Sequence, residues 1–126
     1  PQTRILGSYG EQLLPWLEKW VFPEERRYFE RPYAEAGVRR FFDNLLASGT
    51  TTCQAFTTAQ PVTTEVVFEE AARRNMRIIT GITAIDRNAP EWFTTSAEEF
   101  TAAATTLIEK YHGVGRITSS PAPASV

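Results

Sequence analysis

The chain has 126 residues, 42% hydrophobic and 22% charged, and this ordinary globular composition suffices for one domain but not for two. Its formal net charge of -2 gives no reason to expect nucleic acid or an anionic membrane as a partner. No apolar run approaches the ~20 residues that a membrane helix needs. The single cysteine, Cys53, excludes an internal disulfide and a cysteine-based zinc knuckle, so a cytosolic setting is the default expectation.

The first half of the chain predicts helices separated by aromatic-rich turns. Residues 11–22, EQLLPWLEKWVF, predict a short helix or an irregular lid, because Pro15 must open a helical turn or kink it. In the next stretch, FPEERRYF, Pro23 occupies an expected first helical position, and the charges of EERR are most simply a solvated helix face. Residues 33–46 carry the apolar stripe of an amphipathic helix, which Gly49 can cap.

The second half of the chain alternates strands and helices. The string TTTCQAF is β-branched and aromatic, which favours a strand, and a helix is expected to begin near Pro61. The string MRIITGIT predicts a second strand. Ser96, with Glu99 three residues later, forms the capping box of a last helix that Gly113 ends, and a third strand is possible near Ile117.

Strands that alternate with helices of this length imply parallel pairing, so the predicted fold class is α/β. Two or three parallel strands leave exposed sheet edges. We therefore expect residues 1–116 to be an arc of a larger α/β sheet or barrel, about two to three βα units long, cut from a longer or aberrant sequence. Residues 117–126, which end in SSPAPASV, are expected to be a disordered tail.

The residues that could carry chemistry each have a simpler structural explanation. The only histidine, His112, is expected at a solvated helix end, and Cys53 is expected to be a buried strand residue. Residues 50–52 are threonines without a phosphate-loop motif around them and are interpreted as strand residues. Asp86 follows a strand, where barrel folds carry their sites, but we favour a turn role for it. Asp43 is expected to be solvated.

Two further features bear on function. Aromatic side chains are dense in residues 16–33, where they could line a pocket for a planar ligand or cap a core, and the core is the favoured interpretation. The chain has no HxH, HExxH or CxxC motif. The residues alone therefore assign neither a metal ligand nor a catalytic group.

Several strings together are far more specific than any of these features. PQTRILGSYGEQLLPWLEKWVFPEERRY, LLASGTTT, FEEAARRNMRIITG, DRNAPEWFTTSAEEF and LIEKYHGVGR resemble guanine deaminase, a member of the amidohydrolase superfamily of metal-dependent hydrolases. The resemblance runs almost continuously over residues 1–116, which correspond to the N-terminal part of the family's barrel only.

The resemblance implies a partial (β/α)8 TIM barrel as the fold. Family members carry zinc, hydrolyse guanine to xanthine and ammonia in purine salvage or breakdown, and are usually cytoplasmic homodimers. In the family, metal-bound water attacks the purine carbon that bears the amino group, while a glutamate and an aspartate move protons. Guanine is accordingly the implied partner of a complete enzyme.

Only one functional residue carries over to this chain. The family's first zinc histidines are followed closely by PQ, which matches Pro1 and Gln2, so the histidines would precede this chain. The resemblance implies that Gln2 contacts the substrate, a sensible role for an amide that can both donate and accept. No catalytic residue and no metal ligand is carried over, and zinc is not expected to bind to this chain alone.

The isolated chain is therefore expected to be inactive. After Arg116 the sequence also lacks the family's TPRF segment, which grips the purine. Two alternatives stay open. The chain could derive from a related amidohydrolase that acts on another heterocycle, such as cytosine or a triazine, or it could be a non-catalytic truncated protein that self-associates through its sheet edges.

Overall fold

The computed structural model describes residues 2–10 and 12–123, which form a mixed α/β structure. The helices are α1 (Leu13–Trp16), α2 (Phe22–Arg27), α3 (Arg31–Ala47), α4 (Pro61–Arg74) and α5 (Ala97–Tyr111). The strands are β1 (Thr52–Gln54), β2 (Arg77–Thr80), β3 (Thr83–Ala84), β4 (Ile117–Ser119) and β5 (Ala122–Pro123). Two 3-10 turns lie at Gln2–Arg4 and Glu91–Phe93.

The described strands pair in parallel, as the alternation of strands and helices predicted. One sheet has the order β1-β2-β4, with Cys53 opposite Ile78 and Ile78 opposite Ile117. A second, two-stranded sheet pairs β3 with β5. Because the strands run in the same direction, their carboxyl ends lie at one edge of the structure, and the loops that follow them are gathered there.

The main core lies between this sheet and the helices α3, α4 and α5. Phe42, Phe68 and Ile78 are fully buried in it, and the stripe predicted for residues 33–46 supplies its α3 face. Burial of such apolar side chains is the main stabilising contribution to a fold of this kind. No helix among the described residues is long and apolar enough to cross a membrane.

The ends of the helices confirm the capping signals in the sequence. The Ser96 hydroxyl accepts a hydrogen bond from the Glu99 amide at 3.2 Å, and the Glu99 carboxylate accepts one from the Ser96 amide at 3.0 Å. Pro61 occupies the first turn of α4. Gly49 and Gly113, with φ of +75° and +77°, follow α3 and α5 in the left-handed conformation that glycine tolerates best.

The segment expected to be a short helix or lid is a nearly continuous helical stretch. A π-helical turn, Leu17–Val21, joins α1 to α2, and the Phe22 amide donates to the Leu17 carbonyl. Pro23 follows directly. Since proline lacks an amide hydrogen and its ring crowds the carbonyl four residues earlier, a locally widened turn is a natural accommodation.

The segment expected to be a disordered tail differs from that expectation over residues 117–123. Ile117 is 3% exposed and begins a strand that completes the larger sheet. Gly81 packs so closely on the chain after β4 that a β-carbon there would lie 2.5 Å from the Pro121 nitrogen. The Ser/Pro/Ala composition gave no sign of this pairing, because a strand added to a sheet edge is held by its backbone. Residues 124–126 lie outside the described residues.

Candidate functional site

A cavity of about 380 Å³ lies beyond the carboxyl ends of β1 and β3. Its apolar lining consists of Leu17, Val21, Phe22, Phe56, Ile85 and Phe93. Its polar lining consists of Gln2, Glu25, Thr57 and Thr83. A concave, mainly apolar site with a few convergent polar groups, at the carboxyl edge of a parallel sheet, is where α/β proteins bind ligands. This cavity is therefore the candidate functional site.

Two long polar side chains line the cavity. Glu25, on α2, is 7% exposed, and burial raises the pKa of its carboxyl group from 4.5 to about 7. The Gln2 side chain lines the same cavity and opposes that rise of the pKa. The cavity wall thus pairs a carboxyl group with a carboxamide.

A network of buried threonines fixes the floor of the cavity. The Thr57 hydroxyl lies 2.6 Å from the Thr64 hydroxyl and donates to the Gly81 carbonyl at 2.6 Å. The Thr83 hydroxyl donates to the Thr57 carbonyl at 3.0 Å. These bonds tie the segment after β1 to the start of α4 and to the segment after β2. Because hydroxyl groups with fixed partners cannot rotate freely, this wall is preorganised.

Aromatic rings form another wall of the cavity. Phe22 and Phe93 lie with their ring centroids 5.4 Å apart, and Phe29 stacks on Phe93 at 6.4 Å. Phe93 is 1% exposed and belongs to a small apolar cluster separate from the main core. Flat apolar surfaces beside a few hydrogen-bonding groups suit a planar heterocycle. The aromatic-rich segment therefore contributes both to a packed cluster and to the cavity lining.

Within residues 2–10 and 12–123, Gln2 is the only polar residue singled out from the sequence as a site candidate that lines the cavity. His112 ends α5, with its Nδ1 3.4 Å from the Ser119 carbonyl. Cys53 is half-buried on β1, and burial raises the pKa of its thiol. Asp86 is exposed after β3 and accepts hydrogen bonds from Arg87 at 3.0 Å. These three positions do not converge on a common site.

Two other predictions from the sequence concern residues that do not line the cavity. The exposed side chain of Asp43 forms an ion pair with Arg74 at 2.6 Å. Pro1, which the resemblance matched to the first residue of PQ, lies outside the described residues. Over residues 2–10 and 12–123, no three histidine, cysteine, aspartate or glutamate side chains gather in a set that could hold a metal ion. The residues described here do not fit a zinc site.

The interpretation of EERR as a solvated helix face is wrong for its two glutamates. Glu24 and Glu25 are each only 7% exposed. A signal for Glu25 was present in the helical spacing, since it follows the buried Val21 and Phe22 by four and three residues and precedes the buried Tyr28 by three. Residues at these spacings share one helix face, so the apolar face of α2 includes a carboxyl group.

Comparisons with known proteins agree on one family. A curated guanine deaminase from Escherichia coli is 44% identical over 117 residues, which are 93% of this chain and 27% of that protein. The crystal structure of guanine deaminase from Bradyrhizobium japonicum is 59% identical, with a TM-score of 0.92 over 95% of this chain and 26% of that one. No protein-family model matches the chain.

A third solved structure is also similar to this chain. The crystal structure of guanine deaminase from C. acetobutylicum, with bound guanine in the active site, is 26% identical and has a TM-score of 0.86. It covers 92% of this chain and 28% of that one. In each comparison the chain spans about a quarter of the length of the relative it matches.

Proposed function

From its homology to guanine deaminases along nearly its whole length, we propose that this chain is a segment of an amidohydrolase that converts guanine to xanthine and ammonia. The observation that carries the proposal is the cavity, whose aromatic wall, carboxyl group and carboxamide suit a planar base with hydrogen-bonding edges. A complete enzyme of this kind would act in purine breakdown or salvage, in the cytoplasm, as a homodimer.

The architecture supports a place for this segment inside a larger barrel. The β1-β2-β4 sheet is parallel, with helices between its strands, and its two outer strands leave edges at which further strands could pair. In a (β/α)8 barrel the active site lies at the carboxyl ends of the strands, which is the edge that carries the cavity. The segment would contribute about two to three βα units.

Within the cavity, Gln2 is the proposed substrate-binding residue. Its carboxamide carries both donors and an acceptor, which allows it to recognise the edge of a purine ring. Phe22 and Phe93 would lie beside the ring and exclude water from it. The fixed threonine network keeps this wall in place, so little ordering is needed when a ligand binds.

Catalysis itself would depend on residues that the described part of this chain does not supply. By the resemblance, zinc would be held by side chains encoded outside this segment, and it would provide the activated water of the reaction. The contribution of this segment is therefore binding and orientation. Consistent with that division, we expect the isolated chain to produce no measurable xanthine from guanine.

The test compares the isolated chain, the complete deaminase that contains this segment, and the Gln2→Ala variant of that deaminase. In the complete deaminase that contains this segment, we expect Gln2→Ala to raise KM for guanine about tenfold, the factor expected for about 1.4 kcal/mol of lost hydrogen-bond energy. Xanthine formation is followed by absorbance, with Gln12→Ala, an exposed residue before α1, as the control. Turnover of cytosine or a triazine in preference to guanine would assign the segment to another member of the superfamily.

A further inference from the structure

We propose that the Glu25 carboxylate binds the substrate by accepting a hydrogen bond from the imidazole N–H of the purine, and so selects the free base over one substituted at that nitrogen. The inference deepens the proposed function and rests on it, since the substrate is taken to be guanine. Nothing in the resemblance to guanine deaminases assigned a role to Glu25. Its assignment comes from its place in the cavity and from the groups around it.

The first argument is placement. Glu25 is 7% exposed, and it follows Val21 and Phe22 by four and three residues along the helical stretch. All three residues line the same cavity, so they share the helix face that forms its wall. Within residues 2–10 and 12–123, Glu25 is the only ionisable residue in that lining. An almost fully buried carboxyl group therefore borders a space of about 380 Å³, which is within the size range of ligand pockets.

The second argument is that the carboxylate has room for a donor. Over residues 2–10 and 12–123, no arginine or lysine forms an ion pair with Glu25. Glu70, by contrast, accepts hydrogen bonds from two arginines. A carboxylate has about four acceptor sites, and buried polar groups are rarely left without hydrogen-bond partners. An N–H group of a bound ligand supplies such a partner.

The third argument concerns the other polar groups of the lining. The Thr57 hydroxyl donates to the Gly81 carbonyl at 2.6 Å, and the Thr83 hydroxyl donates to the Thr57 carbonyl at 3.0 Å. Hydroxyl groups are weaker acceptors than a carboxylate, because hydrogen bonds to a charged group are roughly twice as strong as those between neutral groups. Glu25 is therefore the strongest acceptor that the described lining offers to an N–H group.

The chemistry of guanine indicates which N–H group this is. Guanine carries N–H donors at its amino group, at the adjacent ring amide and on its imidazole ring. In the proposed reaction, the carbon that bears the amino group must face the activated water, which this segment does not supply. The amino group and the ring amide lie on or beside that carbon, so the imidazole N–H is the donor left for Glu25.

The contact has a consequence for specificity. A purine that is substituted on its imidazole ring, as in a nucleoside, has no N–H group there and would leave the Glu25 carboxylate buried without that donor. A site built to hydrogen-bond an N–H group discriminates strongly against an analogue that lacks it. The cavity therefore favours the free base.

The neighbouring glutamate supplies a matched control. Glu24 is equally buried, at 7%, but it accepts a hydrogen bond from the Tyr33 hydroxyl at 2.8 Å and pairs with Arg27 at 3.5 Å. It borders a different surface pocket, beside Thr3. Glu24→Gln therefore changes the same functional group, on the same helix, outside the cavity that Glu25 lines.

The test measures the binding of two inhibitors to the complete deaminase that contains this segment. Hypoxanthine keeps the imidazole N–H of guanine but lacks the amino group that the reaction removes, and 9-methylhypoxanthine lacks both. Competitive inhibition constants against guanine are measured for the wild type, Glu25→Gln and Glu24→Gln at pH 8, above the raised pKa of Glu25 of about 7. We expect Glu25→Gln, which keeps the shape of the side chain, to weaken hypoxanthine binding about tenfold, the factor that about 1.4 kcal/mol represents. Binding of 9-methylhypoxanthine should not change, and Glu24→Gln should change neither constant.

Equal weakening of both inhibitors by Glu25→Gln, or no weakening of hypoxanthine, would overturn the contact. Thermal unfolding of each variant separates these results from misfolding. A second measurement needs no variant: the wild type should bind hypoxanthine at least about tenfold more tightly than 9-methylhypoxanthine, and equal binding would also overturn the contact. Absence of guanine turnover in the wild type would instead count against the proposed function, whereas turnover with unchanged inhibition constants in Glu25→Gln would count against the contact alone.

Discussion

The wall of the cavity and the outer face of α4 each carry a glutamate that is almost withdrawn from water. Glu25 is 7% exposed and Glu70 is 9% exposed, yet burial raises the pKa of Glu25 to about 7, whereas bonds from Arg73 and Arg74 lower the pKa of Glu70 to about 2. Glu70 accepts at 2.6 Å from both arginines. The comparison shows that the partner, and not the degree of burial, decides how the fold treats a carboxyl group.

The two carboxyl groups have different effects on the structure. The arginine-bound carboxylate joins residues within α4 and, through the Arg74–Asp43 pair, joins α4 to α3, so it stabilises the packing of two helices. The cavity carboxyl group is costly to charge and contributes little to packing. Groups with perturbed pKa values in a cavity are candidates for function, and the same perturbation on a helix surface is more simply structural.

The largest expected effect is at the arginine-bound site. Glu70→Gln should destabilise the chain by about 2–3 kcal/mol at pH 7, because the guanidinium of Arg74, whose side chain is 13% exposed, keeps its burial and loses the more buried of its two carboxylate partners, so that only the exposed Asp43 remains. Urea unfolding of the 126-residue chain measures it, with Glu35→Gln on the exposed face of α3 as the control. Equal midpoints for Glu70→Gln and Glu35→Gln would remove the distinction between the two regions.

The sign of the pH dependence at this site follows from the lowered pKa. A carboxyl group whose folded-state pKa lies below its unfolded value of about 4.5 stabilises the fold fully above pH 4.5. That contribution is lost as the pH falls towards about 2. The difference between the wild type and Glu70→Gln should therefore shrink over this acid range.

The second effect has the opposite sign. Glu25→Gln should stabilise the chain by about 1–2 kcal/mol at pH 8, because the wild type must then charge a carboxyl group with a raised pKa in an apolar wall. The stability contributed by the neutral form is complete below about pH 4.5 and is lost as the pH rises to about 7. Thermal unfolding at pH 4 and pH 8 checks it, and a destabilised variant at pH 8 would contradict the raised pKa.

The smallest effect on stability is expected at the solvent-exposed ion pair between Asp86 and Arg87. Asp86 accepts from Arg87 at 3.0 Å, and its side chain is 60% exposed. We expect Asp86→Asn to leave the midpoint of urea unfolding unchanged, because water and salt screen an exposed ion pair. A measurable loss of stability in Asp86→Asn would mean that the contact distance alone, without burial, decides how much an ion pair stabilises the fold.

The sequence alone predicted the features that depend on neighbouring residues along the chain. The Ser96–Glu99 capping box, the stripe of α3 and the glycines that follow α3 and α5 are local patterns, and the structure confirms them. The resemblance to guanine deaminases was also available, because long strings of residues carry it.

The burial of Glu25 could not be predicted in the same way. EERR is a common pattern on solvated helices, and what buries Glu25 is a cavity whose other walls come from Gln2, Phe56 and Phe93, far away in the chain. The strand β4 was predicted only as a possible third strand near Ile117, since its partner β2 lies about forty residues earlier. Long-range burial and edge pairing are tertiary effects, and composition does not report them.

The π-helical turn at Leu17–Val21 places a constraint on how this segment can vary in length. Such a turn holds one more residue than the α-helical geometry requires, so deleting a single residue there could be absorbed as a regular helix without breaking it. The deletion would close the widened turn, and α2 would keep the face that it presents to the cavity. Glu25 would then stay in the cavity wall, so a one-residue gap at this point should be tolerated without a change of ligand.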